Sequence, residues 1–249
     1  MVYKLKEVLH LIEKNKTFAI DPENKIVLTK QQLGEMISAD YEVAVKYVQN
    51  GKLESALRAT ESDAYDAYLD CASKYSDPNV LLFHFQYALA PRLPFSYREE
   101  IYKTIDKVGF AMYKRQANRE RIVEAMKNHL FSDYLATKNF NENFSNLVSG
   151  VQFAENYVTV DENIAYDLLS AYLQVRDWYK YDGKKFYDVH SLYAYLANHR
   201  LLNKFSKTME SDSLFFAWLF YLGNFDLVLA WKKKVNEIDN YILNKKGEY

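Results

Sequence analysis

Five histidines and one cysteine are the residues from which a metal or thiol centre would be built: His10, His84, His129, His190, His199 and Cys71. No two histidines stand at the i, i+4 spacing by which a helix turns two imidazoles toward one zinc ion. No second cysteine helps to complete a tetrahedral set. His190 and His199 are nine residues apart, which places them on opposite sides of a helix. His84 lies in an apolar run and fits a packed side chain with one hydrogen bond. Cys71 would need a distant base to become a nucleophile; without a local motif it fits the small, buried residue that free cysteine usually is. Ser73 and Ser149-Gly150 lack the strand-turn-helix context of a nucleophile elbow, and there is no glycine-rich phosphate loop. Glu120, Glu124 and Asp133 are interleaved with Lys and Arg, as on a solvated helical face. The expectation is no catalytic residue, no metal ligand set and no cofactor.

Binding chemistry is better represented. The chain carries 22 Tyr and 15 Phe, and Trp178, Trp218 and Trp231 add to them late in the sequence. Tyr combines apolar area with a hydroxyl, the mixture favoured at protein interfaces. The expected partner surface is Tyr181, Tyr187, Tyr193 and Tyr195, continued by the basic run Lys232, Lys233 and Lys234. A second basic cluster is Lys114, Arg115, Arg119 and Arg121. Such cations could contact phosphates without reading bases. Nearby Glu120, Glu124 and Glu237, a formal net charge of -1 and the lack of a zinc-finger or helix-turn-helix pattern argue against nucleic acid as the partner.

These residues must be positioned mainly by helices. Helical spacing recurs in Leu5, Val8, Leu9 and Ile12, and again in Ile164, Leu168, Leu169, Tyr172 and Leu173. Thr29 with Gln32 reads as a capping box, as does Ser96 with Glu99. Asp77-Pro78 opens a helix to Ala90 that is apolar all round, hence central and buried. From Ser96 one long helix is expected to about Tyr134, broken near Asn118. Phe140 to Gly150 reads as an irregular connector before a helix over 151–158. Phe225 to Leu243 reads as the last helix. Leu214 to Trp231 approaches the length of a membrane span, but Gly223-Asn224 reads as a helix stop and Asp226 would be costly in lipid.

Two stretches share an order. Thr17 to Leu28 flanks the turn Asp21-Pro22-Glu23-Asn24 as a small hairpin, and helices follow to Arg58. Tyr181-Asp182-Gly183-Lys184 turns into Lys185-Phe186-Tyr187, and helices follow again. Val27 answers to Phe186, Leu33 to Leu192 and Ile37 to Leu196 at one constant spacing. A duplication of a hairpin/helix-helix unit is therefore expected, with module 1 at 17–58 and module 2 at 181–231. Residues 30–58 resemble small helical segments that accompany signalling or chaperone-like domains in some bacterial multidomain proteins; the resemblance implies no particular activity.

The resulting expectation is a mainly α, multi-helical protein with one or two small β-hairpins. It divides into a 1–139 region and a 140–249 region, tightly packed. A single cysteine excludes an intrachain disulfide and suits a reducing compartment, so the cytoplasm is expected. No signal peptide and no membrane span are read. The function expected is a non-enzymatic protein-interaction or regulatory module of a soluble bacterial-type protein, with a protein partner or a second copy of the chain. An enzyme without a recognisable motif and a weak nucleic-acid binder stay open as alternatives.

Overall fold

The computed structural model describes residues 4–21, 23, 25–98, 100–138, 143–174, 177–209 and 212–224. It is mainly helical, with fourteen helices and three two-stranded antiparallel hairpins among the described residues. The chain divides into two compact units, Met1–Thr104 and Ile105–Tyr249. The boundary expected at 139/140 falls on residues outside the described set.

In the first unit, α1 (Leu5–Asn15) leads to the hairpin β1 (Ala19–Asp21) and β2 (Ile26–Val27), then α2 (Lys30–Ala39), α3 (Tyr41–Gln49) and α4 (Lys52–Arg58). After these come α5 (Asp63–Lys74), α6 (Pro78–Leu89), β3 (Phe95–Tyr97) and β4 (Glu100–Tyr102). Local sequence accounts for several helix starts. Thr29 accepts from the Gln32 amide while the Gln32 side chain accepts from the Thr29 amide, the expected reciprocal box. Asp77 accepts from the amides of Asn79 and Val80, and Pro78 occupies the first turn, where a missing N–H costs nothing. Helix α6 buries eight of its 12 residues, as an all-round apolar helix should. Its Leu82 and Phe85 join Leu5, Ile12, Leu33 and Ile37 in the core.

Three expectations fail in the stretch from Phe95 to Gly150. Ser96 does not cap a helix; it is the middle of β3, paired with Ile101. Arg98 takes a left-handed conformation (φ 54°) and turns the chain. The Ser96 hydroxyl lies 2.7 Å from that of Ser38, and its carbonyl accepts from the Gln86 side chain. These buried hydrogen bonds favour the strand over a cap. The long helix is three: α7 (Ile105–Tyr113), α8 (Arg119–Lys127) and α9 (Leu130–Ala136). Left-handed Arg115 and His129 end two of the segments, and Asn118 caps α8 by accepting from the Arg121 amide. The supposed connector is largely the start of α10 (Asn143–Tyr157), which buries Leu147, Val151 and Ala154 at helical spacing.

The second unit continues with α11 (Glu162–Leu173), capped by Asp161, then β5 (Tyr179–Tyr181), β6 (Lys184–Phe186) and α12 (Val189–Asn198), capped by Asp188. Helices α13 (Leu202–Met209) and α14 (Ser213–Tyr221) follow. Helix α11 is the centre of this unit and packs on α7, α10 and α14. The helix expected over 225–243 lies outside the described residues. Among the described residues no helix is long and apolar enough to cross a membrane.

The order of hairpin then helix occurs at both expected modules and a third time at β3–β4. Leu33, Ile37, Leu192 and Leu196 are all buried, whereas Val27 is 60% exposed and Phe186 only 6%. The first helix after each of the first two hairpins carries a glycine one residue beyond a buried apolar side chain, Gly34 after Leu33 and Gly109 after Val108.

Candidate functional site

The candidate site lies in the second unit, where β5, the end of α11 and helix α14 meet around a recess of about 90 Å³. Its walls include the rings of Tyr172, Trp178, Tyr179, Trp218 and Tyr221, with Asn146, Lys180 and Asp212 as polar members. Each wall has a local cause. Asp212 is the N-cap of α14, its Oδ1 accepting from the amides of Leu214 and Phe215 at 3.1 and 3.3 Å. Capping thus fixes the carboxylate at one end of an aromatic helix. Its other oxygen accepts from the Tyr179 hydroxyl at 2.6 Å. Burial, reinforced by that carboxylate, holds the Tyr179 phenol well above its ordinary pKa. Tyr179 also stacks on Trp218, with ring centroids 5.6 Å apart, and meets Phe215 edge-on. Asn146 donates to the carbonyl of Tyr221 and ties α10 to the end of α14.

Two donors at this site have no hydrogen-bond partner among the described residues, the Tyr172 hydroxyl and the Trp218 indole nitrogen. Both atoms are sealed from solvent. They therefore cost the fold something, but a bound molecule would not touch them without movement.

None of the four tyrosines expected from sequence is among the residues lining the recess; Tyr181 ends β5, Tyr187 follows β6, and Tyr193 and Tyr195 are on α12. Tyr181 is half-buried with its ring edge-on to Phe205. Tyr187 is 57% exposed. Tyr193 and Tyr195 are half-buried on α12. The Tyr195 hydroxyl donates to Asp182 at 2.8 Å, which raises its pKa, and Lys184 lies 4.5 Å over its ring. Lys185 lies 4.0 Å over the ring of Trp178. Lys232, Lys233 and Lys234 are outside the described residues. Tyr195 is thus held to the β5–β6 hairpin through Asp182 and Phe186, and the recess, which the sequence did not announce, takes Tyr179 and Lys180 from the same hairpin. The recess draws on α10, α11, β5 and α14, so no local spacing could reveal it. The local hints were Trp178-Tyr179 together and Asp212 two residues before the apolar run of α14.

The second basic cluster is largely engaged. The Arg119 guanidinium donates to Asn163 at 2.9 Å and to Glu162 at 3.3 Å, and lies 4.6 Å over the ring of Tyr166. Lys114 lies 5.6 Å over both Phe110 and Tyr113. Arg115 is exposed beyond α7, and Arg121 is half-buried on α8.

Residues with altered acidity are found away from the recess. Burial lifts the Glu155 carboxyl to about 7, although its Oε1 accepts from the amides of Phe131 and Ser132. His129 Nδ1 stands 3.7 Å from its other oxygen. Burial also pushes the Cys71 thiol up to about 11 and His84 down to about 4. His84 stacks on Tyr75 at 4.0 Å. Cys71 is buried in the core of the first unit. Among the described residues no group of three or more His, Cys, Asp and Glu could hold a metal ion.

Comparison of the chain with known protein families, with curated proteins and with solved structures found no match.

Proposed function

We propose that this protein is a non-enzymatic protein-interaction module that captures a partner polypeptide with the β5–β6 hairpin, α12 and the recess beside them. The observation that carries the reading is the recess itself, a cavity of about 90 Å³ lined by Tyr172, Trp178, Tyr179, Trp218 and Tyr221, with the exposed Tyr187 directly after the hairpin that supplies Tyr179. Binding energy at protein interfaces concentrates where one anchoring side chain fills a desolvated pocket among Trp, Tyr and Arg. A cavity of about 90 Å³ is small beside the roughly 300–1,000 Å³ of sites that enclose whole metabolites. It suits one side chain better than a substrate. The same reading takes the modules at 17–58 and 181–231 as an internal duplication, with the later copy specialised for binding, and places the protein in the cytoplasm.

Selection of a displayed random-peptide library on the full chain tests this. The expected result is an enriched motif whose binding is lost in Tyr187→Ser and Trp178→Ala, with the helical circular dichroism spectrum unchanged. Absence of any enriched peptide, or peptides indifferent to both substitutions, rejects the site. Sedimentation of the purified chain identifies the case in which the partner is a second copy.

Nucleic acid has less support. Arg119 of the second basic cluster is already held by Glu162 and Asn163.

A further inference from the structure

We propose that the recess beside β5 is a receptor for an organic ammonium group. The inference rests on the preceding reading for the location of the site, and it adds the chemistry of the occupant.

The walls of the recess discriminate between kinds of occupant. A carboxylate offers about four acceptor positions. Asp212 uses three of them, for the amides of Leu214 and Phe215 and the hydroxyl of Tyr179. Among the described residues no cation pairs with it. An apolar occupant would strip water from the remaining lone pair and from the charge, a loss that apolar contact in so small a space does not offset. An anionic occupant would meet the Asp212 charge inside an aromatic recess, where screening is weakest. A cationic occupant supplies the missing donor and the compensating charge together.

The rings point the same way. Aromatic faces attract ammonium groups, Trp most strongly, and more so when water is excluded. The protein already uses Trp178 in this manner, since the Lys185 ammonium lies 4.0 Å over its ring. Tyr172, Tyr179, Trp218 and Tyr221 also line the space, although Tyr179 and Trp218 turn one face to each other.

Two cations oppose the proposal, Lys180 and Lys185, the second already standing over the ring of Trp178. Lys180 also lines the recess. It stands opposite Lys185 across the hairpin, and both side chains are exposed. Exposed charges are screened within about a Debye length, whereas Asp212 is half-buried, with part of its charge offset by the N-terminal dipole of α14. The charge left at the wall is less screened than the charges at the rim, and the rim lysines limit affinity.

Titration of the full chain, followed by tryptophan fluorescence and calorimetry, tests this at constant ionic strength. The probes are tetramethylammonium, a capped lysine peptide, a capped norleucine peptide of similar shape and a capped glutamate peptide. Saturable binding of a cationic probe is expected, with norleucine weaker by about tenfold or more, the share expected of a charged hydrogen-bond partner. Stronger binding of the lysine peptide identifies a polypeptide as the source of the ammonium; stronger tetramethylammonium binding identifies a small quaternary amine. Asp212→Asn keeps the helix cap and should weaken cation binding to the norleucine level. Lys180→Met, at an exposed position, should tighten it and keeps the test open if Asp212→Asn disturbs folding. Equal affinity for norleucine, preference for glutamate, or no saturable signal with either cation overturns the proposal. A library peptide that binds through Tyr187 without a cationic residue would overturn it while leaving the interaction reading intact.

Discussion

The point at which a Cβ on Gly109 would stand lies 2.7 Å from the carbonyl oxygen of Ser170. The Ser170 hydroxyl in turn donates to the Gly109 carbonyl at 2.8 Å, so α7 and α11 approach backbone to backbone. Gly34 does the same for α2 against α6, but its nearest neighbour is the side-chain Cβ of Ala90, also at 2.7 Å. That difference decides what relief is available. Both Gly34→Ala and Gly109→Ala should destabilise, by about 1–3 kcal/mol each, as overpacking does. In urea unfolding, Ala90→Gly should recover part of the loss at Gly34, a coupling visible in a double-mutant cycle. Removing the Leu173 side chain, whose Cβ lies at 2.9 Å, should not rescue Gly109→Ala, because the nearest obstructing atom, the Ser170 carbonyl oxygen, is backbone.

Glu155 gives the second unit a pH dependence of definite sign. Its carboxyl is raised to about 7 from an ordinary 4.5, first by burial. Between those values the folded state holds a proton that the unfolded state has released, so stability falls as pH rises from about 4.5 to about 7. A shift of this size corresponds to something on the order of 3 kcal/mol lost above the upper value. Glu155→Gln keeps an acceptor for the Phe131 and Ser132 amides and removes the ionisation. Thermal melts of wild type and variant at pH 5 and pH 8 should differ chiefly at pH 8, with Glu155→Gln the more stable. An equal difference at both pH values would remove Glu155 as the cause.

Cys71 should be chemically quiet. Its thiol is buried in the core of the first unit, and burial raises it to about 11. A thiol reagent reacts with the thiolate, so native protein at pH 7.5 should label far more slowly than protein in urea. Rapid native labelling would reveal opening of the core around Tyr68 and Phe85. Loss of a catalytic turnover on Cys71→Ala would be a stronger contradiction, since it would make the protein a thiol enzyme.

How much of this was legible depends on the range of the interactions. Caps at Thr29, Asp77, Asp161 and Asp188 could be read directly, because the side chain and the amides it satisfies lie within three residues. The hairpin at Phe95 to Tyr102 could not. Ser96-Arg98-Glu99 has the letters of a capping box, and all three residues of β3 are buried, so the usual in-out alternation of a strand is missing. What holds Ser96 in a strand is its contact with Ser38, 58 positions earlier. Helix α10 was obscured by its asparagines, although Leu147, Val151 and Ala154 carried the right period. The recess was beyond reach for the same reason as β3: Asn146, Tyr172, Tyr179 and Trp218 meet only through packing.

Removing one hydroxyl from each of two tyrosines at the recess separates the value of a hydrogen bond from the cost of an unmet one. Tyr179 donates to Asp212 at 2.6 Å, a charge-assisted bond in a partly buried setting. Tyr179→Phe should therefore destabilise by about 1.5–3 kcal/mol, the range for bonds to charged groups. Tyr172 is 4% exposed, and its hydroxyl has no partner among the described residues. Its ring is fixed by packing, meeting Phe220 edge-on and lying against Gly150. Tyr172→Phe keeps the ring and removes a buried polar atom that gains nothing from the fold. The expected effect runs from neutral to about 1 kcal/mol of stabilisation. Urea unfolding of the two variants, made in the same background, reads the contrast directly. Comparable losses in both would mean that Tyr172 has a hydrogen-bond partner, such as a bound water, and that the recess is wetter than its aromatic walls suggest.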